Sequence, residues 1–196
     1  MSFKKIITVK LPSKYGNFRL LAYQNSDQKY HLALVMGKPA NKENVLVRIH
    51  SSCITGDIFS SSRCDCGQQL KKAMKLIAQK GEGIIIYLFQ EGRGIGLINK
   101  LRAYKLQEQG LDTYDANTAL GLPPDNRTYE MVKTILKDIK VKSIKLISNN
   151  PDKFNQLRSL NLKINGAIPL EIRPTKYNHQ YLLTKKIKFG HTLKYL

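Results

Sequence analysis

Acidic residues, cysteines and long apolar runs are all scarce in this chain, and each shortage narrows what the protein can be. Only 14 of the 196 residues are Asp or Glu, against 33 Lys and Arg, for a formal charge of +19. A field of that sign implies polyanionic partners, whether nucleic acid, nucleotide phosphates or an acidic surface. It does not choose among them. Many lysines are scattered through the last third (Lys133, Lys137, Lys140, Lys142, Lys145, Lys185, Lys186, Lys188), a pattern that any lysine-rich proteome would also produce. Three cysteines are too few, and an odd number, for a complete internal disulfide framework, which favours a reduced setting. The basic N-terminus MSFKKIITVKLP lacks the apolar run of a signal peptide, because Lys10 and Pro12 interrupt it. The longest apolar run, Ile84 to Phe89, is far too short to cross a bilayer. The expectation is a cytoplasmic protein with no membrane partner.

What is present reads as a single domain over residues 1–196, with 42% hydrophobic and 24% charged residues, both ordinary for a globular protein. Residues 3 to 50 hold four segments rich in branched and aromatic residues: IITVKLP, FRLLAY, HLALVMG and VLVRIH. Turn residues separate them, including Asn25-Ser26-Asp27 and Gly37-Lys38-Pro39, so a strand meander is expected. After Cys66-Gly67 the period changes. Leu70, Ala73, Met74, Ile77 and Ala78 follow helical spacing, and Gly81 is placed to end the helix. GIIIYLF then reads as a buried central strand, followed by a second helix from about Leu97 to Gln109. Residues Thr113 to Asp125 read as a long loop, and a third helix is expected from about Asn126. SIKLI (143–147) is a strand leading to a helix from Pro151 to Leu160, with further strands around Ile164 and from Ile168 to Ile172. The tail, Tyr181 to Leu193, is a weaker helical candidate. The fold class expected is α+β, a mixed and largely antiparallel sheet with flanking helices.

All three cysteines fall in one stretch, Arg48 to Gln69, as Cys53 and the pair Cys64-x-Cys66. Three soft thiolates at short spacing suit zinc, which takes four ligands when structural and leaves a corner open when catalytic. His50 could fill the fourth corner, or the corner could be open. The plainer alternative is three buried free thiols, but Ser61, Ser62, Arg63 and Asp65 make a polar neighbourhood that a core strand would not carry. On an extended strand the two thiols of Cys-x-Cys would face opposite sides, so a turn is required, which Gly67 permits.

The loop Gln90-Glu91-Gly92-Arg93-Gly94-Ile95-Gly96 lies between a buried strand and a helix, where glycines and free amides suit a phosphate. Taken alone it is equally an ordinary connection. Glu91 could accept from the N–H donors of a guanine, and Arg93 could fork onto phosphate. Asp125 and Arg127 stand at the expected start of the third helix, where an N-cap aspartate and a solvated arginine would be unremarkable. Ser148-Asn149-Asn150-Pro151 with Lys153 forms another helix N-terminus beside a cation, and Tyr104 would ordinarily be a core aromatic.

Taken in order, the segments RIHSSCITGD, RCDCGQQL, QEGRGIGLINKLRAYKLQEQGLDT, AN..LG, D.R and SNNPDK resemble GTP cyclohydrolase II, the enzyme that opens riboflavin biosynthesis, and the resemblance runs over nearly the whole chain. It implies the family's fold and its conversion of GTP to 2,5-diamino-6-(5-phosphoribosylamino)pyrimidin-4(3H)-one, formate and pyrophosphate. It implies one zinc per subunit on Cys53, Cys64 and Cys66, with water in the open corner, and magnesium on the triphosphate. GTP would be bound by Arg48, Ile49, His50, Ser51, Ser52, Gln69, Glu91, Gly92, Arg93, Thr113, Ser148 and Lys153. Asp125 would be a proton acceptor, Arg127 a nucleophile on the α-phosphorus or a stabiliser of the phosphoryl transition state, and Tyr104 would orient water at the base. A homodimer is expected, and so is a monofunctional form without a dihydroxybutanone phosphate synthase domain. Two positions depart from the family pattern: Ser52 stands where a glutamate is common, and Ser148 where a threonine is. Two other readings follow from the same residues. One is a drifted paralogue that binds guanine nucleotide, with Ser52 as its support. The other is a basic zinc-containing nucleic-acid-binding protein, supported by charge alone and lacking the motif of any known module.

Overall fold

A computed structural model describes residues 3–26 and 28–196. The four early apolar segments are strands: β1 Lys4–Ser13, β2 Gly16–Gln24, β3 Tyr30–Met36 and β4 Val45–Ser51. Of the turn between β2 and β3, Asp27 lies outside the described residues. A short helix α1 (Ile54–Asp57) and the amphipathic α2 (Cys66–Lys80) lead to β5 (Gly83–Leu88), with Gly81 ending α2 in the left-handed conformation. Then come α3 (Leu97–Gln107), α4 (Thr113–Ala119), α5 (Glu130–Asp138), β6 (Ile144–Ile147), α6 (Pro151–Ser159), β7 (Ile164–Ile168) and α7 (His179–Phe189).

The strands form one sheet in the order β1-β2-β3-β5-β4-β6-β7. It is mixed, as expected. The β1-β2-β3-β5 half is antiparallel and carries the longer ladders, while β5, β4, β6 and β7 run parallel. The meander stops at β3, however, because β5 inserts between β3 and β4. The reason is visible in β5 itself. Ile84 and Ile86 are buried in one core with Val47, Val132 and Ile135, while Ile85 is buried in the other with Ala73 and Ile77. A strand apolar on both faces must be covered on both, so it takes a central position with α5 and α6 on one side and α2 on the other.

Three expectations about the helices need correction. The stretch 113–125 is not wholly a loop, since Asp112 caps α4 by accepting from the amides of Tyr114 and Asp115. Helix α5 begins at Glu130, so Asp125 and Arg127 lie in the loop before it and not at its edge. In the sheet, the strand expected around Ile164 is β7, and the further strand expected from Ile168 to Ile172 does not form. Among the described residues no helix is long and apolar enough to cross a membrane.

The parallel half determines where chemistry can occur. Strands β4, β5 and β6 end together, and their C-terminal ends deliver Ser52-Cys53, Gln90-Glu91 and Ser148-Asn149. Ligands of open parallel sheets bind outside such ends.

Candidate active site

One cleft at those strand ends is lined by all but one of the residues singled out from the sequence. At one end lie the cysteines. Cys53 follows β4 and precedes α1, Cys64 sits in the loop before α2, and Cys66 is the first residue of α2. Their sulfurs lie within 4.8 Å of one another, and the Cys53 and Cys64 sulfurs are 3.7 Å apart. Thiolates at about 2.3 Å around a tetrahedral zinc are about 3.8 Å apart, so this set fits that ion. Without a metal the Cys64 and Cys66 thiols share their protons with Cys53. That sharing lowers the pKa of Cys53 and, with burial, raises those of its partners, Cys64 to about 11.

Gly67 has a different role from the one expected. The turn falls at Cys64-Asp65, and Gly67 lies inside α2, where a Cβ would stand 2.0 Å from the Gly56 carbonyl oxygen. It permits α1 and α2 to touch backbone to backbone. Gly56 faces the thiols in turn, where a Cβ would lie 2.9 Å from the Cys64 sulfur and 3.2 Å from that of Cys53.

His50 does not join the cluster. Its Nε2 faces the Asp57 carboxylate at 3.1 Å and its ring stacks on Tyr87, with burial lowering its pKa. Asp57 also accepts from the Cys53 amide and the Tyr87 hydroxyl, which fixes the start of α1. Tyr104 stands beside the thiols, its hydroxyl 3.4 Å from Thr55 Oγ1 and its ring under the Arg63 guanidinium.

The cleft is also lined by cations. Arg48 donates from Nη1 to the Ile147 carbonyl and from Nη2 to Gln69, leaving its buried Nε without a partner. Lys153 is buried and donates to the Ile49 carbonyl. Burial, then the nearby Arg48 and Arg127 charges, push its pKa well down. Ser148 closes the end of β6, its hydroxyl accepting from the Asn150 amide. Arg127 is gripped by Asp125 through Nε and Nη2. Burial alone would lower its pKa, but Tyr129 and Asp125 outweigh that and raise it. Asp125 itself is the one expected residue that does not line the cleft; it holds Arg127 from behind.

Glu91, Gly92 and Arg93 make the turn after β5. Gly92 and Arg93 are both left-handed (φ 62° and 61°), and the turn is pinned where Asn126 N–H donates to the Arg93 carbonyl. Arg93 stacks on Phe189 of α7, and its buried Nη1 has no partner. Glu91 is already engaged by protein donors: the amides of Ile54 and Gly92 and the ammonium of Lys100. Ser51, Ser52 and Thr113 complete the wall.

The structure also brings in residues that sequence reasoning missed. Lys100, four residues before Tyr104 on one helix face, reaches the thiols. Lys185 of α7 donates to Asp65 at 2.6 Å, and His191 lines the cleft beyond it. The i, i+4 spacing of Lys100 and Tyr104 was a usable signal; nothing in the tail announced Lys185.

Comparison with known proteins agrees with this geometry. The GTP cyclohydrolase II profile matches residues 4–169. The chain belongs to the GTP cyclohydrolase II family. It is 52% identical over 191 residues to the riboflavin biosynthesis protein RibBA of Endomicrobium trichonymphae, covering 97% of this chain and 47% of that protein. RibBA of Bacillus subtilis is 50% identical over 191 residues, covering 96% and 48%. The chain thus spans about half the length of these relatives. Among solved structures, RibBX, a two-domain 3,4-dihydroxy-2-butanone 4-phosphate synthase from A. baumannii, shares the fold with a TM-score of 0.50 at 22% identity, over 85% of this chain and 40% of that one. That likeness concerns the fold alone.

Proposed function

We propose that this GTP cyclohydrolase II chain hydrolyses GTP to 2,5-diamino-6-(5-phosphoribosylamino)pyrimidin-4(3H)-one, formate and pyrophosphate, the opening step of riboflavin biosynthesis. The carrying observation is that one cleft is lined both by a three-cysteine set that could hold a metal and by Arg48, Arg127 and Lys153. A base held at the thiols and a triphosphate held by the cations is the arrangement that ring opening and pyrophosphate loss both require. Zinc on Cys53, Cys64 and Cys66 would supply Lewis acidity and activate water toward carbon 8, a poor electrophile. Magnesium would arrive with the triphosphate.

The chain's own residues divide the remaining work. Arg48 and Lys153 neutralise phosphate charge, and Arg93 offers its unpartnered Nη1. Ser148 and Thr113 offer hydroxyls. Tyr104 orients water beside the thiols. Arg127 acts as a fixed cation on the departing pyrophosphate rather than as a nucleophile, because its pairing with Asp125 favours the protonated state. Asp125 then aims that cation. With Glu91 engaged by the metal loop, base recognition falls more on the cleft backbone and Gln69 than on that carboxylate. A homodimer is supported by β1, an edge strand that exposes Ile6, Ile7 and Val9; a single-chain mass in sedimentation would refute it.

The deciding experiment incubates zinc-loaded protein with GTP and magnesium. Formate and pyrophosphate should appear in equal amounts, with Tyr104→Phe slowing formate more than it weakens nucleotide binding. Pyrophosphate or GMP without formate would overturn the proposal in favour of the drifted paralogue that Ser52 suggests.

A further inference from the structure

The three-thiolate set raises a chemical difficulty. Three anionic sulfurs leave a dication with a net charge of −1, which weakens it as a Lewis acid. The cleft contains an answer that the family resemblance did not assign. Lys100 Nζ lies 3.1 Å from Cys53 Sγ, 2.8 Å from Thr55 Oγ1 and 2.7 Å from Glu91 Oε1. An ammonium has three N–H donors, and these three acceptors use all of them. The group is almost fully buried, and so is its carboxylate partner. Glu91 is itself immobilised by the Ile54 and Gly92 amides, and Thr55 by its contact with Tyr104. The ammonium therefore cannot swing away from the sulfur without abandoning two other partners.

We propose that Lys100 is a positioning residue for the metal centre: its ammonium hydrogen-bonds the Cys53 ligand, draws electron density from that sulfur and restores electrophilic character to the bound ion. Groups that hydrogen-bond metal ligands tune the metal, and their removal typically costs ten- to a hundredfold in affinity or activity. Glu91 moderates the effect by sharing the ammonium. A purely structural salt bridge would need only Glu91. The sulfur contact is what distinguishes the two roles.

This inference rests on the metal reading of the cysteines, and cobalt substitution separates the two. Wild-type protein is first tested for one metal per chain and for a thiolate-to-cobalt charge-transfer band; absence of both would overturn the metal reading itself. Given that band, Lys100→Met and Lys100→Gln should move it to lower energy, because the sulfur loses its cation. They should also lower kcat for formate more than they raise KM. Lys100→Arg, which keeps the charge, should stay within a few-fold of wild type. Glu91→Gln, which leaves more of the ammonium to the sulfur, should move the band to higher energy, so the test survives even where Lys100→Met fails to fold. An unchanged band in Lys100→Gln and Glu91→Gln, or equal losses in Lys100→Arg and Lys100→Met, would overturn the proposal.

Discussion

Gly67→Ala tests the account of the metal site most severely, because two effects of opposite sign act on one methyl group. Gly67 is the second residue of α2, where alanine gains less than the about 1 kcal/mol by which it is favoured over glycine in a helix interior. Against that, the added Cβ would stand 2.0 Å from the Gly56 carbonyl oxygen, 2.8 Å from its carbon and 3.4 Å from the Asp57 Cα. These are backbone atoms, so no rotamer change relieves the overlap. Restoring an ordinary contact requires α1 and α2 to separate by about 1.4 Å, and overpacking of this kind costs about 1–3 kcal/mol. Helix α1 cannot yield cheaply, since Asp57 binds the Cys53 amide, His50 and Tyr87, and Glu91 holds Ile54. Net destabilisation should be modest, about 1–2 kcal/mol in chemical denaturation. The effect on metal should be severe. Cys53 moves with α1 and Cys66 with α2, and a separation of about 1.4 Å is roughly seven times the ±0.2 Å tolerance of a metal–ligand distance. The variant should therefore fold and yet hold far less than one zinc per chain after dialysis. A Gly67→Ala protein that is more stable than wild type and retains stoichiometric zinc would refute the reasoning.

Two further predictions concern the C-terminal segment. Lys185→Met removes one partner of the buried pair with Asp65 and should destabilise the chain by about 3 kcal/mol, the low end for such pairs because Asp65 keeps the Gln69 amide; unaltered hydrogen exchange across 179–189 would contradict it. His191 has its pKa lowered from 6.5 to about 2, by burial and by Lys185, Lys153, Arg127 and Arg93. The docked tail refuses a proton that the released tail accepts, so docking is at full strength above about pH 6.5 and weakens as pH falls below it. The slope is at most about 1.4 kcal/mol per pH unit, less for whatever part of the ring water reaches. Limited proteolysis should therefore nick the tail faster at pH 5 than at pH 8, and His191→Asn should remove that difference; equal cutting of the wild type at both would rule it out.

Local patterns predicted local structure well. The branched and aromatic residues of 18–23, the all-apolar run 84–88 and the Asn150-Pro151 cap each contain their own cause, and each element formed where that cause lay. What depended on distant partners did not show. That β5 would insert between β3 and β4 follows from covering both its faces, which requires knowing that α2 and α5 lie on opposite sides. Helix α4 was hidden because its seven residues include Thr, Tyr, Asp and Asn, poor helix formers, and its cap at Asp112 was read as part of a loop. The clustering of the three cysteines was legible because they fall at short spacing in one stretch, as zinc chemistry would require. Lys185 was not legible, because its partner Asp65 is 120 residues away.

Asp65 shows why the two ends of the cleft work as one site. It lies between two thiol ligands, and its carboxylate oxygens face opposite ways: Oδ1 accepts from Lys185 of α7, and Oδ2 accepts from Gln69 at 2.5 Å. Gln69 in turn accepts from Arg48, which also donates to the Ile147 carbonyl at the end of β6. A continuous run of charge-assisted hydrogen bonds thus joins the cysteine loop to the Arg48 guanidinium, and most of it is shielded from water. Such bonds are strong when fully satisfied and costly when broken. Moving the cysteine loop would therefore shift Gln69 and leave Arg48 with the Ile147 carbonyl as its remaining partner. In the proposed reaction this shared frame would keep carbon 8 and the α-phosphorus of a single nucleotide in register with their separate reagents.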